Sequence, residues 1–239
     1  MNSSALHFPI GARLWKSTIG RKLLVAVTGL VLTLFLAGHL SGNLLIYVGQ
    51  EAFNEYAYFL HHLLHGAGVW VARLALLTCL VIHVAATISL TRENRAAREK
   101  KYHCDATIQA SKSSRIMIWT GSTILAFVIF HLLHFTVRVT YPADKYEYTL
   151  EDGTETFDAY QMVIDGFSHP LVVLFYVIAI SLLCSHIGHG VQSMFQTLGL
   201  RSKKTAGFLK YLSNGYAIFI WLGFISIPIS ILLFNVGRS

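Results

Sequence analysis

Charge is scarce in this chain: Asp, Glu, Lys and Arg make up 13% of its 239 residues, against 54% hydrophobic residues. With a mean hydropathy of +0.54, that excludes an ordinary soluble domain, about a quarter of which is charged. Cysteine is scarcer still. Cys79, Cys104 and Cys184 form no CxxC or CxxCH, which excludes the usual covalent attachment of c-type haem and gives no iron–sulfur site. No dinucleotide fingerprint or flavin motif is present either. No Asp or Glu falls within the apolar core of any long hydrophobic run.

What is present is five apolar runs, at about 23–48, 69–90, 116–140, 170–198 and 212–236. Each reaches the ~20 residues that a helix needs to cross ~30 Å of hydrocarbon. The expected fold is therefore all-α: an integral membrane five-helix transmembrane bundle, a single domain over residues 1–239 with no internal repeat. The stretch "RLWKSTIGRK" leads into a run too long for a cleavable signal peptide, so the first helix is expected to stay as an anchor. Pro228 is expected to kink the last span. Between the third and fourth runs, "YPADKYEYTLEDGTETFDAY" carries alternating stretches around an Asp-Gly turn signal and predicts a small external hairpin.

The basic residues fix an orientation, because Lys and Arg accumulate in short cytoplasmic loops. Arg13, Lys16, Arg21 and Lys22 precede the first span. Arg92, Arg95, Arg98, Lys100, Lys101, Lys112 and Arg115 lie between the second and third, and Arg201, Lys203, Lys204 and Lys210 before the fifth. The other two loops hold most of the acids: Glu51 and Glu55, then Asp144, Glu147, Glu151, Asp152, Glu155, Asp158 and Asp165. The N-terminus is thus expected in the cytoplasm and the C-terminus outside. The net charge of +7 sits at membrane edges with no soluble domain to present it, which favours a cytoplasmic protein partner or anionic lipid over nucleic acid.

Twelve histidines are many for such a chain, and their positions matter more than the count. His39, His83, His131 with His134, and His186 with His189 lie within four consecutive spans. An unpaired polar ring in hydrocarbon costs roughly 2–7 kcal/mol, so each needs a partner. For any one of them, a hydrogen bond to a neighbouring carbonyl is an equal explanation. Four consecutive spans carrying such rings are harder to explain that way.

Helical rise of ~1.5 Å per residue puts His39 ~26 Å from Lys22 and His131 ~24 Å from Arg115 on outward-running spans. His83 lies ~21 Å from Val69, and His186 ~24 Å from Pro170, on inward-running ones. The rings form two same-depth pairs: His39 with His131 towards the outside, His83 with His186 towards the cytoplasm. Paired imidazoles at two levels are what two bis-histidine haems b require. His134 and His189 each follow a proposed ligand by three residues on nearly the same helix face, so spacing leaves that choice open. Gly38 and Gly42, Ala85 and Ala86, and Gly188 and Gly190 suit a flat macrocycle, although small residues are also ordinary packing devices between membrane helices. Lys22, Arg115 and Arg201 at the inner rim, and Arg73 and Arg138 at the outer, are cations for haem propionates or ordinary interfacial residues.

"TGLVLTLFLAGHLSGNLLIYVGQEAFNEYAYFLHHLL" from residue 28, "IHVAATISLTRENR" from 82, "FHLLHFTVR" from 130 and "SHIGHGVQSMFQTLGL" from 185 together resemble the cytochrome b subunit of succinate dehydrogenase and fumarate reductase, in its single-polypeptide, five-helix, dihaem b558-type form. The resemblance covers nearly the whole chain. It implies axial ligands at His39, His83, His131 and His186, with His134 and His189 left as supporting or packing residues. It implies two haems b, the outer bound by His39 and His131 and the inner by His83 and His186.

It further implies a membrane anchor of respiratory complex II in the bacterial cytoplasmic membrane. An iron–sulfur subunit would dock on its cytoplasmic face beside a flavoprotein subunit with FAD. Succinate chemistry belongs to those chains, while this one binds quinone, by analogy menaquinone, and passes electrons between the clusters and the quinone pool. His61 lies where several relatives carry a glutamate associated with quinol oxidation, which implies a role in quinone proton exchange; a plain surface histidine is the equal alternative. Cys184 stands where some fumarate reductases have a glutamate, which argues against a carboxylate-gated transmembrane proton path. Rival readings are the haem b anchor of a hydrogenase or formate dehydrogenase, and a histidine-based metal-ion transporter. The lack of intramembrane carboxylates argues against the transporter.

Overall fold

The computed structural model describes residues 10–97 and 112–237. Arg98, Lys100, Lys101 and Cys104 lie outside the described residues, as do the side chains of Lys112 and Arg115. A short helix α1 (Ile10–Lys16) leads into α2 (Thr18–Asn43), which a 3-10 turn continues to Tyr47. A helix α3 (Gln50–His62) precedes α4 (Ala67–Ala96) and α5 (Lys112–His131). A π-turn over Leu132–Thr136 ends the third span. Strands β1 (Glu147–Thr149) and β2 (Glu155–Phe157) and helix α6 (Ala159–Gly166) follow, then α7 (Pro170–Thr197) and α8 (Ala206–Phe234). Five of these helices are long and apolar enough to cross a membrane, so the chain is a helical, multi-pass membrane protein.

The spans match the apolar runs but overshoot their hydrocarbon limits, because backbone hydrogen bonding does not stop at the membrane surface. Ser17 caps α2 by accepting from Gly20 N–H at 2.9 Å, so the helix starts five residues before position 23. At the other extreme, the third span stops at Thr136 instead of 140, where Arg138 takes a left-handed φ of 60°. Helix α8 runs unbroken through buried Pro228.

Residues buried on α7 recur at helical spacing, Val173, Tyr176, Ile180, Cys184, Ile187, Val191 and Met194, and make it the central helix. It packs against α5, α8 and α2, while α2 also packs against α4 and α8. Helix α4 is peripheral. It buries only Ala86 and exposes Val71, Leu74, Leu77, Val81 and Ile88 along its length, a surface suited to lipid. The chain order of packing is thus α4, α2, α7, α5.

A polar cap closes one end of the bundle. The expected hairpin is there: β1 and β2 pair antiparallel with Tyr148 opposite Thr156, and Gly153 supplies the positive φ its turn needs. Helix α3, which the apolar pattern did not predict, is tied to α6 through Asn54 and Asp158, 0% and 6% exposed. Asp158 accepts from Asn54 Nδ2 at 2.9 Å, from Gln50 Nε2 at 2.7 Å and from Gln161 N–H at 3.0 Å, capping α6. Asn54 Oδ1 in turn accepts from Tyr160 N–H at 2.9 Å. Every buried polar group in this knot has a partner, as burial requires.

Candidate functional site

At the capped end, His39 of α2 and His131 of α5 face each other with ring centres 5.9 Å apart and planes at 76°. Aromatic side chains wall them in: Phe35 stacks on His39 at 5.3 Å, Phe224 of α8 lies 5.7 Å from it, and Phe127 and Phe135 flank His131. Asn43 holds His39, its amide nitrogen lying 3.2 Å from Nδ1 and donating to the His39 carbonyl at 2.7 Å. His131 Nδ1 lies 3.2 Å from the Tyr176 hydroxyl.

His134, the alternative to His131, is spoken for on both nitrogens. Its Nδ1 lies 3.0 Å from Tyr176 Oη and its Nε2 3.1 Å from Tyr141 Oη, and the ring is 8% exposed. The π-turn that carries it is closed by Val137 N–H donating to Leu132 O. With His131 Nδ1–H donating to Tyr176, the tyrosine proton is free for His134 Nδ1, and His134 Nε2–H donates to Tyr141. In this arrangement His131 keeps Nε2 bare.

Towards the opposite, basic end lie His83 of α4 and His186 of α7, each held by a neighbouring span. His83 Nδ1 lies 3.2 Å from Thr28 Oγ1 on α2; His186 Nδ1 lies 3.2 Å from Thr120 Oγ1 on α5. Beside each threonine is a glycine. A Cβ at Gly29 would come within 3.3 Å of His83 Cε1, and one at Gly121 within 3.5 Å of His186 Cε1. His189 instead lines a groove of about 470 Å³ between α7 and α8 with Gln192, Lys210, Asn214 and Trp221, which leaves His186 as the ring directed at α5.

The two levels are separated along α2 by the Thr28 to His39 interval, about 16 Å of helix. The same interval recurs: Thr28-Gly29 precedes His39 by the same count as Thr120-Gly121 precedes His131. The short pattern T-G-x9-H therefore occurs in both α2 and α5. The apolar background hides it, since only three residue types in each span are shared for a reason. Small residues expected beside the rings are used elsewhere: a Cβ at Gly42 would meet Tyr56, one at Gly188 would meet Ala217, and Gly38 and Gly190 face open space. Ala86 is fully buried.

At the capped end, His61 lies near the C-terminus of α3, exposed, on a helix and not in a loop. Burial by its surroundings, then the charges of Arg73, Arg138 and His62, hold its pKa below the usual histidine value. Arg138 also lies over the Phe157 ring at 4.2 Å and Arg73 over Trp70 at 5.1 Å. At the basic end, Arg201 donates to Gln196, and Arg21 joins two spans, donating to Ser89 Oγ at 2.5 Å and pairing with Glu93 at 2.6 Å. Arg21 Nε is buried with no partner among the described residues.

The donor set fits a haem iron better than a bare metal ion. No group of three or more His, Cys, Asp or Glu able to hold a metal occurs among the described residues, whereas a macrocycle brings its own equatorial nitrogens and asks for two axial rings. His39 and His131, with ring centres 5.9 Å apart, are the residues that would hold such a group at the capped end. Comparisons with protein-family models, with curated proteins and with solved structures found no match.

Proposed function

We propose that this chain is the dihaem cytochrome b membrane anchor of a succinate:quinone or quinol:fumarate oxidoreductase in a bacterial cytoplasmic membrane, with its N-terminus inside and C-terminus outside. The facing pair His39 and His131 carries the reading: two intramembrane imidazoles from different spans with ring centres 5.9 Å apart, supported by His83 and His186, each held through Nδ1 by a threonine of a neighbouring span. His39 and His131 would hold the outer haem b, and His83 and His186 the inner. Haem supplies a one-electron carrier at each level.

The chain's own residues do the rest. The aromatic wall around His39 and His131 excludes water, and Arg73 and Arg138 place positive charge at the outer rim. The basic cytoplasmic edge is the docking side for an iron–sulfur subunit, which joins a flavoprotein subunit with FAD. Quinone, menaquinone by the same resemblance, exchanges electrons with the chain, and His61 is placed at the membrane surface to exchange protons with it.

A dithionite-reduced minus oxidised spectrum of the purified chain, with pyridine haemochrome quantitation, tests this. Two haems b per chain are expected. Their absence from folded, cofactor-replete protein overturns the reading.

A further inference from the structure

We infer that Thr28 and Thr120 are positioning residues that lock His83 and His186 into the same tautomer, Nδ1 protonated and Nε2 bare, so that both rings present lone pairs to one site. The inference takes its site from the haem reading above, but its chemistry is set by protons already accounted for in the protein.

A threonine hydroxyl has one proton to give. Thr28 donates it to Leu24 O at 2.6 Å, with Val25 O a second acceptor at 3.3 Å, and Thr120 donates to Met117 O at 3.1 Å or Ile116 O at 3.3 Å. At Thr28 the short bond to Leu24 O uses that proton, so across 3.2 Å His83 Nδ1–H donates and the threonine oxygen accepts; the 3.2 Å bond between Thr120 and His186 is inferred to run the same way, with the Thr120 proton going to Met117 O at 3.1 Å. A neutral imidazole with its proton on Nδ1 has its lone pair on Nε2. For His186 no partner to Nε2 is found among the described residues.

The device occurs twice, on the equivalent turns of α2 and α5, with the glycine next to each threonine leaving space for the ring edge. Two independent threonines thus serve one pair of rings. His39 and His131 are held differently, by Asn43 and Tyr176, and provide an internal control.

An accepted Nδ1–H bond raises the basicity of the ring and hence its donation to a metal. Removing it weakens that donation, so the oxidised metal loses more than the reduced, and the midpoint potential rises. The test uses the full-length chain in lipid nanodiscs as wild type, Thr28→Val, Thr120→Val, the double variant, and the serine variants at both positions. Valine keeps the volume without the acceptor; serine keeps the acceptor.

Without haem, nitrogen-15 spectra of labelled histidine should show protonated Nδ1 at His83 and His186, lost in each valine variant for its own ring and kept with serine. With haem, potentiometric titration should show one of two components shifted about tenfold in its reduction constant by either valine, which is about 59 mV for a one-electron couple. The double variant should add the two shifts while the other component stays unmoved. A protonated Nε2 at either ring in wild type overturns the inference, as do valine variants that leave tautomer and potential unchanged. A chain that binds no haem overturns the proposed function instead, and the tautomer measurement still decides the role of the threonines.

Discussion

His39 and His131 meet at 5.9 Å between ring centres although 92 positions separate them in the chain, the same separation as between Thr28 and Thr120. Replacing His39 or His131 by alanine should reduce two haems per chain to one and leave the component held by His83 and His186. Pyridine haemochrome quantitation and a potentiometric titration of each variant check this. If His39→Ala and His83→Ala removed the same component, the pairing across the bundle would be wrong.

His134→Ala should behave quite differently. The ring satisfies two buried hydroxyls, Tyr176 and Tyr141, and an orphaned buried hydrogen-bonding group costs about 1–3 kcal/mol. Haem content should stay at two while thermal unfolding moves to lower temperature. Loss of a haem with unchanged stability would make His134, not His131, the ligand.

The two glycines beside the inner pair are not equivalent. A methyl at Gly29 would press on the His83 ring at 3.3 Å, whereas one at Gly121 would only touch His186 at 3.5 Å. Gly29→Ala should therefore shift the α-band or the potential of the inner component, and Gly121→Ala should leave both near wild type.

Asp158 ties α3 to α6. Asp158→Ala removes a helix N-cap, about 1 kcal/mol, and strands the buried Asn54 amide, for about 1–3 kcal/mol more. Faster proteolytic cleavage in the hairpin and a lower unfolding temperature should follow, with two haems retained under mild conditions.

His61 should titrate below about 6.5, the value of an unperturbed histidine, because its burial and the Arg73 and Arg138 charges disfavour the cation. The unfolded chain then binds the proton more readily, so this residue lowers stability as pH falls through and below 6.5. Nuclear magnetic resonance titration of His61 should show its pKa move up towards that value in Arg73→Gln. A quinone reaction that depends on His61 should shift its pH profile the same way.

Sequence alone disclosed the spans, because hydrophobic run length is a local quantity, and helical rise put His39 and His131 at one depth, where the two rings meet. It also disclosed the hairpin, through the Asp-Gly turn. It left His131 against His134 and His186 against His189 open, since residues three apart share a face on a regular helix. Those choices depend on partners far away in the chain, Tyr176 and Tyr141 for one pair and Thr120 and α8 for the other. Helix α3 escaped notice because its buried face is small, Phe53 and Asn54, and one of those is polar. Thr28 and Thr120 escaped because a threonine in a membrane helix ordinarily bonds its own backbone, as both of these do as well.

The π-turn at Leu132–Thr136 sets more than the direction of one ring. Such a turn holds a surplus residue relative to an α-helix. The span ends there, and the chain leaves it through Arg138 in its left-handed conformation. Deleting Leu133 would spare Thr120, Gly121 and His131 but shorten that exit by one residue and pull His134 away from Tyr176 and Tyr141. The joint between the membrane bundle and its polar cap is thus one amino acid longer than a regular helix would make it.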